Sequence, residues 1–264
     1  MSFRLFHWMF LTTFRGWHLG VSGVVFAFLA WRSVQKAVIV SGESATMLDA
    51  VFFAFCGPTK ENLYFLDGLA WMLPLFLLFY FFGDSTRREL DINGVFILLR
   101  VQSRLRWWTA KAIALLVAVL AVYAWAVLIV GLVAWGMLGS GKSGLSLTVD
   151  NTTIRVSDLI WTFGLHALTG FALVLAQNVL ALVMRPVFAF FVVVTVVVSS
   201  WMSGALPVEA LRWMPGNQGI VMRHTLFDPE VFDFSLIWSL GYNSLLIGLL
   251  AWVGAWRLHR MNIS

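Results

Sequence analysis

The sequence predicts an all-α integral membrane protein. It has six transmembrane helices, an N-terminal amphipathic interfacial helix, and a short basic helix on the membrane surface between helices 2 and 3. Three observations carry this. Of the 264 residues, 60% are apolar and 12% charged, about half the charge of an average soluble domain. The apolar residues fall in continuous runs rather than alternating, which favours helices over a barrel. The basic residues segregate to one side once the runs are laid out as spans.

Composition also excludes several classes. A helical span takes ~20 residues, so six take ~120 and leave no room for a large soluble catalytic domain. The apolar fraction excludes disorder. A single cysteine, Cys56, excludes an internal disulfide framework and a cysteine-based metal cluster.

Residues 1–15, MSFRLFHWMFLTTFR, are too short and polar to span. Phe3, Phe6, Phe10 and Phe14 recur at spacings of three and four, the pattern of a helix lying on the bilayer surface. The other reading is a simple extension of span 1. The spans are expected at about 16–38, 63–83, 110–138, 158–184, 187–205 and 236–256. The first contains Arg32 and Lys36; it ends without a small-residue cleavage pattern, so no cleavable signal peptide is expected. Arg185 and Pro186 alone separate spans 4 and 5, which makes them a tight helical hairpin. Residues 206–235 hold Pro207, Pro215, Gly216 and Pro229 and are too polar to span. They are expected as an external re-entrant or interfacial segment.

With both termini on one side, that side carries 11 basic and 3 acidic residues, a balance of +8; the other carries 7 and 10, a balance of −3. The basic side is expected to be cytoplasmic. The net charge of +5 is therefore a topology signal, and no nucleic-acid partner is expected.

The segment 84–111 reads DSTRRELDINGVFILLRVQSRLRWWTAK. Ile97, Val101, Leu105 and Trp108 form one helical stripe, with Arg100, Arg104 and Lys111 beside it. Asn93 or Asp91 suits the start of a helix over 93–108. The Trp107–Trp108 pair suits an anchor at the bilayer interface. The bland reading is a topology determinant that contacts no partner.

GDSTRREL after span 2, then LLRVQSRLRWWTAK before span 3, resembles the permease subunits of ABC-2-type ABC transporters. The resemblance extends along the whole chain as one permease domain, 1–264. It implies six spans with both ends cytoplasmic and an amphipathic helix before span 1. It also implies a cytoplasmic coupling helix within the region 84–109 that docks on an ATPase. The coupling residues would be Arg100, Arg104, Arg106, Trp107, Trp108 and Lys111. Two ABC ATPase subunits and a second permease copy, identical or homologous, would be partners alongside membrane lipids. ATP and magnesium would sit on the ATPases, leaving no cofactor and no catalytic residue on this chain. The implied function is export of an amphipathic or hydrophobic cargo (peptide, antibiotic or lipid-like) across the inner membrane of a bacterium. The alternative, from another class, is a self-contained intramembrane enzyme of the protease kind or a membrane-embedded immunity protein.

Several motifs resemble chemistry without its context. GMLGSGKS at 136–143 fits the phosphate-loop pattern but follows a membrane span instead of a buried strand, on the side assigned outside. Gly20–Gly23 and Gly141–Gly144 match G-x-S-G; His166 is the one candidate base for Ser22, with nothing to orient it. No cluster of His, Cys, Asp and Glu has metal-ligand spacing. Polar groups inside the spans remain: Asp67, Gln177, Asn178 and Asn243, read either as inter-helix hydrogen bonds or as a substrate path. Arg32 and Lys36, one turn apart, either snorkel to the outer interface or attract an anionic headgroup.

Overall fold

The computed structural model describes residues 3–58, 65–92, 103–139, 148–149, 152–153, 156–227 and 234–261. These residues form a helical bundle. Helix α1 spans Phe3–Thr13, α2 Gly16–Ser41, α3 Met47–Phe55 and α4 Phe65–Phe82. A helical stretch over 85–92 is α5. Then follow α6 (Arg104–Leu138), α7 (Val156–Ala181), α8 (Pro186–Met202), the single turn α9 (Val208–Leu211) and α10 (Leu236–Arg260). Thr148–Val149 and Thr152–Thr153 pair as a minimal antiparallel hairpin.

Helix α1 does not extend α2. Arg15 is extended (φ −112°, ψ 148°) between them, and its N–H donates to His18 Nδ1 at 3.1 Å, satisfying a donor at the start of α2. The inward side of α1 buries Met9 and Thr13, while Phe14 stacks on Phe82 at the end of α4. Part of the aromatic stripe thus packs on the protein itself.

Among the described residues, five helical stretches are long and apolar enough to cross a membrane: Gly16–Ser44, Phe65–Ile92, Arg104–Leu138, Ser157–Ala181 and Leu236–Arg260. The expected fifth span, α8, has 17 residues, a rise of about 25 Å against a hydrocarbon core of about 30 Å. Span 3 was expected from residue 110; its helix starts at Arg104 and runs 35 residues. Ser103 is the reason. It is extended (φ −148°, ψ 115°) and its hydroxyl accepts the Arg106 N–H, the geometry of a helix N-cap. A single stripe from Ile97 to Trp108 is therefore interrupted: Leu105 and Trp108 belong to α6.

The sequence reading also left residues 39–62 without an element. Thr46 and Asp49 form a reciprocal capping box there, Asp49 N–H to Thr46 Oγ1 at 3.3 Å and Thr46 N–H to Asp49 Oδ2 at 2.7 Å. It starts α3, whose Phe52 and Phe55 are fully buried. Two residues past the end of α3 stands Gly57, where φ is +82° and an added Cβ would lie 2.9 Å from Ile220 and 3.1 Å from Trp71. Only glycine suits that left-handed, crowded position.

Two ends of the bundle are distinct. One gathers α1, the end of α4, α5, the start of α6 and the end of α10. The other holds α3, the start of α4 and the short turns at 203–227.

Candidate functional site

The expected coupling residues lie at the first end. Arg100 falls outside the described residues, and Arg106 is exposed. The other four are engaged within the chain. Arg104 donates to the carbonyls of Leu258, His259 and Met261 at 2.9, 3.0 and 2.6 Å. It closes the C-terminus of α10, where a cation offsets unsatisfied carbonyls. Trp107 and Trp108 are 0% and 1% exposed, so they are not interface anchors. Trp108 Nε1 donates to Ala251 O at 2.7 Å, and its ring fills the space left by Gly254. Lys111 is fully buried; its ammonium donates to Glu89 Oε1 at 2.7 Å and Thr13 Oγ1 at 2.9 Å. Thr12 also donates to Glu89 Oε1, at 2.8 Å. One ion pair thus joins α1, α5 and α6. Sequence reading counted Glu89 only as a topology charge; nothing in the local pattern pairs it with a lysine on the next span.

Asn178 holds the other side of α5. Its amide donates to Phe82 O at 2.8 Å and Val174 O at 2.9 Å, and its carbonyl oxygen accepts from Thr86 N–H at 3.0 Å and Ser85 Oγ at 3.3 Å. Gln177 packs so closely on Gly83 that a Cβ there would overlap its amide. Both residues fix the α4–α5 turn to α7.

The remaining polar residues of the expected substrate path do not converge on that point. Asn243 donates to Thr169 Oγ1 at 3.0 Å within the α7–α10 contact. Asp67 lies at the opposite end, where it gathers Arg32 (2.5 Å to Oδ1) and Lys36 (2.9 Å to Oδ2). The two cations therefore meet a carboxylate of α4, an arrangement neither sequence reading contained. Ser33, Phe53, Gly57, Ala70 and Trp71 complete a pocket of about 20 Å³ around them, room for one water-sized group.

Two more buried clusters were missed. His166 sits against Tyr123 Oη at 2.7 Å, ringed by Phe55 and Trp71. Ser22 instead bonds Leu19 O, so the two do not form a nucleophile–base pair. Beyond α8, Arg223 donates to Ser200 O, Trp201 O and Asn217 Oδ1 at 2.7–2.8 Å, and burial lowers its pKa to about 10. His224 Nδ1 faces Ile220 O at 3.0 Å, so that nitrogen carries the proton, and Nε2 lies 2.7 Å from Ser239 Oγ. Burial lowers the His224 pKa to about 4. Of the phosphate-loop look-alike, Gly136–Gly139 ends α6 and the rest, with Lys142, lies outside the described residues. No group of three or more His, Cys, Asp or Glu suited to a metal occurs among the described residues.

Long apolar helices, buried inter-helix polar links and a charged triad inside one span pair define a helical multi-pass membrane protein. Residues 24–264 match the family described as Protein of unknown function (DUF2705), and the chain belongs to that family. No curated protein and no solved structure matches it.

Proposed function

We propose that the chain is the membrane-spanning permease subunit of an ABC exporter of the ABC-2 type. In this reading α8 is the sixth span, tilted little and paired with α7. Helix α1 lies at the cytoplasmic face, and both termini are cytoplasmic in a bacterial inner membrane. Two ATPase subunits and a second permease copy complete the complex, and the cargo is amphipathic or hydrophobic.

The observation that carries the reading is the attachment of α5 to the spans. The segment between α4 and α6 is tied to α7 through Asn178 and to α1 and α6 through the Glu89–Lys111 pair. A displacement of this segment by an ATPase would reach three helices through bonds that do not stretch, which suits rigid-body re-packing of spans. Arg106 remains exposed beside it, free to meet a partner. In this reading Lys111 holds α5 through Glu89, while Arg104 and Trp108 fix the start of α6 to α10.

The test is purification in mild detergent from the native membrane. An ATPase carrying both nucleotide motifs should co-elute, and Arg100→Glu with Arg106→Glu should abolish that while leaving the melting temperature of the chain unchanged. Arg104 is left intact because its loss would loosen α10. A chain that elutes without any ATPase, or a charge-reversed variant that still retains one, would overturn the reading.

A further inference from the structure

The pocket around Arg32, Lys36 and Asp67 sets two cations against one carboxylate. Two cations stand one turn apart on α2, and among the described residues Asp67 is the one carboxylate bonded to them. Each cation makes one bond to Asp67. Arginine offers five N–H donors and lysine three, so most of the donors have no bond to another described residue. Side-chain exposures of 27% for Arg32 and 32% for Lys36 show that these donors reach the surface and are not sealed inside. Lys36 also lies 5.3 Å from the centre of the Phe53 ring, which fixes its ammonium over the pocket.

The surroundings set the kind of ligand. Lys36 and Arg32 lie five and nine residues before the end of α2 at Ser41, about 8 and 13 Å along the helix axis. That is the depth from which long cationic side chains reach the headgroup layer. The flanking residues are exposed and apolar: Trp31 and Ile39 on α2, Phe65 and Leu66 on α4. The pocket therefore opens beside surface suited to hydrocarbon. Its small volume admits one oxygen-sized group rather than a whole headgroup.

We infer that this pocket takes one phosphate oxygen of an anionic amphiphile from the bilayer, the phosphate resting at its mouth against Arg32 and Lys36 and the acyl chains lying along the exposed faces of α2 and α4. An arginine–lysine pair one turn apart suits phosphate oxygens, with charge-assisted hydrogen bonds from both. Asp67 acts as the internal competitor that keeps the empty pocket from carrying two unpaired cations. The site is a property of this chain alone, so its failure would leave the permease reading standing.

The experiment uses the purified chain in detergent with equal amounts of phosphatidylglycerol and phosphatidylcholine, read by native mass spectrometry. Phosphatidylglycerol should be retained in preference. Lys36→Gln keeps the Arg32–Asp67 bridge, so the chain should fold, yet retention should fall about tenfold, the loss of one charge-assisted hydrogen bond. Asp67→Asn removes the competitor and should raise retention. Millimolar inorganic phosphate should not displace the lipid. Equal retention of the two lipids, unchanged retention in Lys36→Gln, or reduced retention in a normally melting Asp67→Asn would each overturn the proposal. Displacement by inorganic phosphate would overturn the bilayer as the source and leave a free-anion site.

Discussion

The side-chain oxygen of Asn178 accepts the backbone N–H of Thr86 at 3.0 Å across 92 residues of sequence. The same amide takes the Phe82 carbonyl on its other edge. One side chain thus supplies the donor and the acceptor that the α4–α5 break leaves unpaired.

Asn178→Leu is nearly the same size and removes all four side-chain bonds. It should lower stability by about 1–3 kcal/mol for buried groups left without partners. Thermal unfolding in detergent reads this directly. A melting temperature equal to that of the unaltered chain would mean that α5 is held by packing alone.

Lys111→Met should be more severe, because Glu89 would remain buried with no cation. Breaking one member of such a pair costs about 3–5 kcal/mol. Adding Glu89→Gln should restore most of the loss, since both charges then disappear together. A double variant as unstable as the single one would show that the ion pair is not the source.

At Gly254 the α6–α10 contact has no spare room: a Cβ would overlap the Trp108 ring. Gly254→Ala should destabilise by about 1–3 kcal/mol through overpacking. Trp108→Phe in the same chain should relieve part of this by vacating the contact. Denaturation of the two variants in parallel checks the sign.

His224 gives a pH dependence. Its folded pKa of about 4 lies below the 6.5 of an exposed imidazole, so the unfolded chain binds the proton more readily. Stability is then full above pH 6.5 and declines as pH falls toward 4. Ser239 has one hydroxyl proton and two acceptors beside it, His224 Nε2 and Gln218 Oε1. Protonating Nε2 would settle that competition, but burial of the charge outweighs it. His224→Gln should flatten the slope of melting temperature between pH 7 and pH 5; an equal slope in both chains would assign it elsewhere.

The helices were legible because twenty-odd apolar residues in a row leave few alternatives. The hairpin at Arg185–Pro186 was legible for the same reason that proline starts helices well. The α6 boundary was not, because Ser103 is a helix cap in a stretch whose apolar spacing continues straight through it. Helix α3 was announced by Thr46 and Asp49 at cap spacing, a signal that hydropathy passes over. The pairing of Arg32 and Lys36 with Asp67, and of Lys111 with Glu89, depends on which helices become neighbours. Each carboxylate has several cations at plausible depth, and one sequence cannot choose among them. Trp107 and Trp108 misled because tryptophan beside cations is as common at a bilayer edge as it is in a packed helix crossing.

The clasp of Arg104 on residues 258, 259 and 261 has a consequence for how the chain is made. Arg104 is synthesised more than 150 residues before Met261, its most distant partner. During all of that interval the guanidinium has none of its final acceptors, and the start of α6 is unfinished. A chain that stops before Leu258 would leave this cation without its three carbonyl acceptors. Premature termination so close to the end would yield a product carrying its own mark of incompleteness, open to the proteases that clear unassembled membrane proteins.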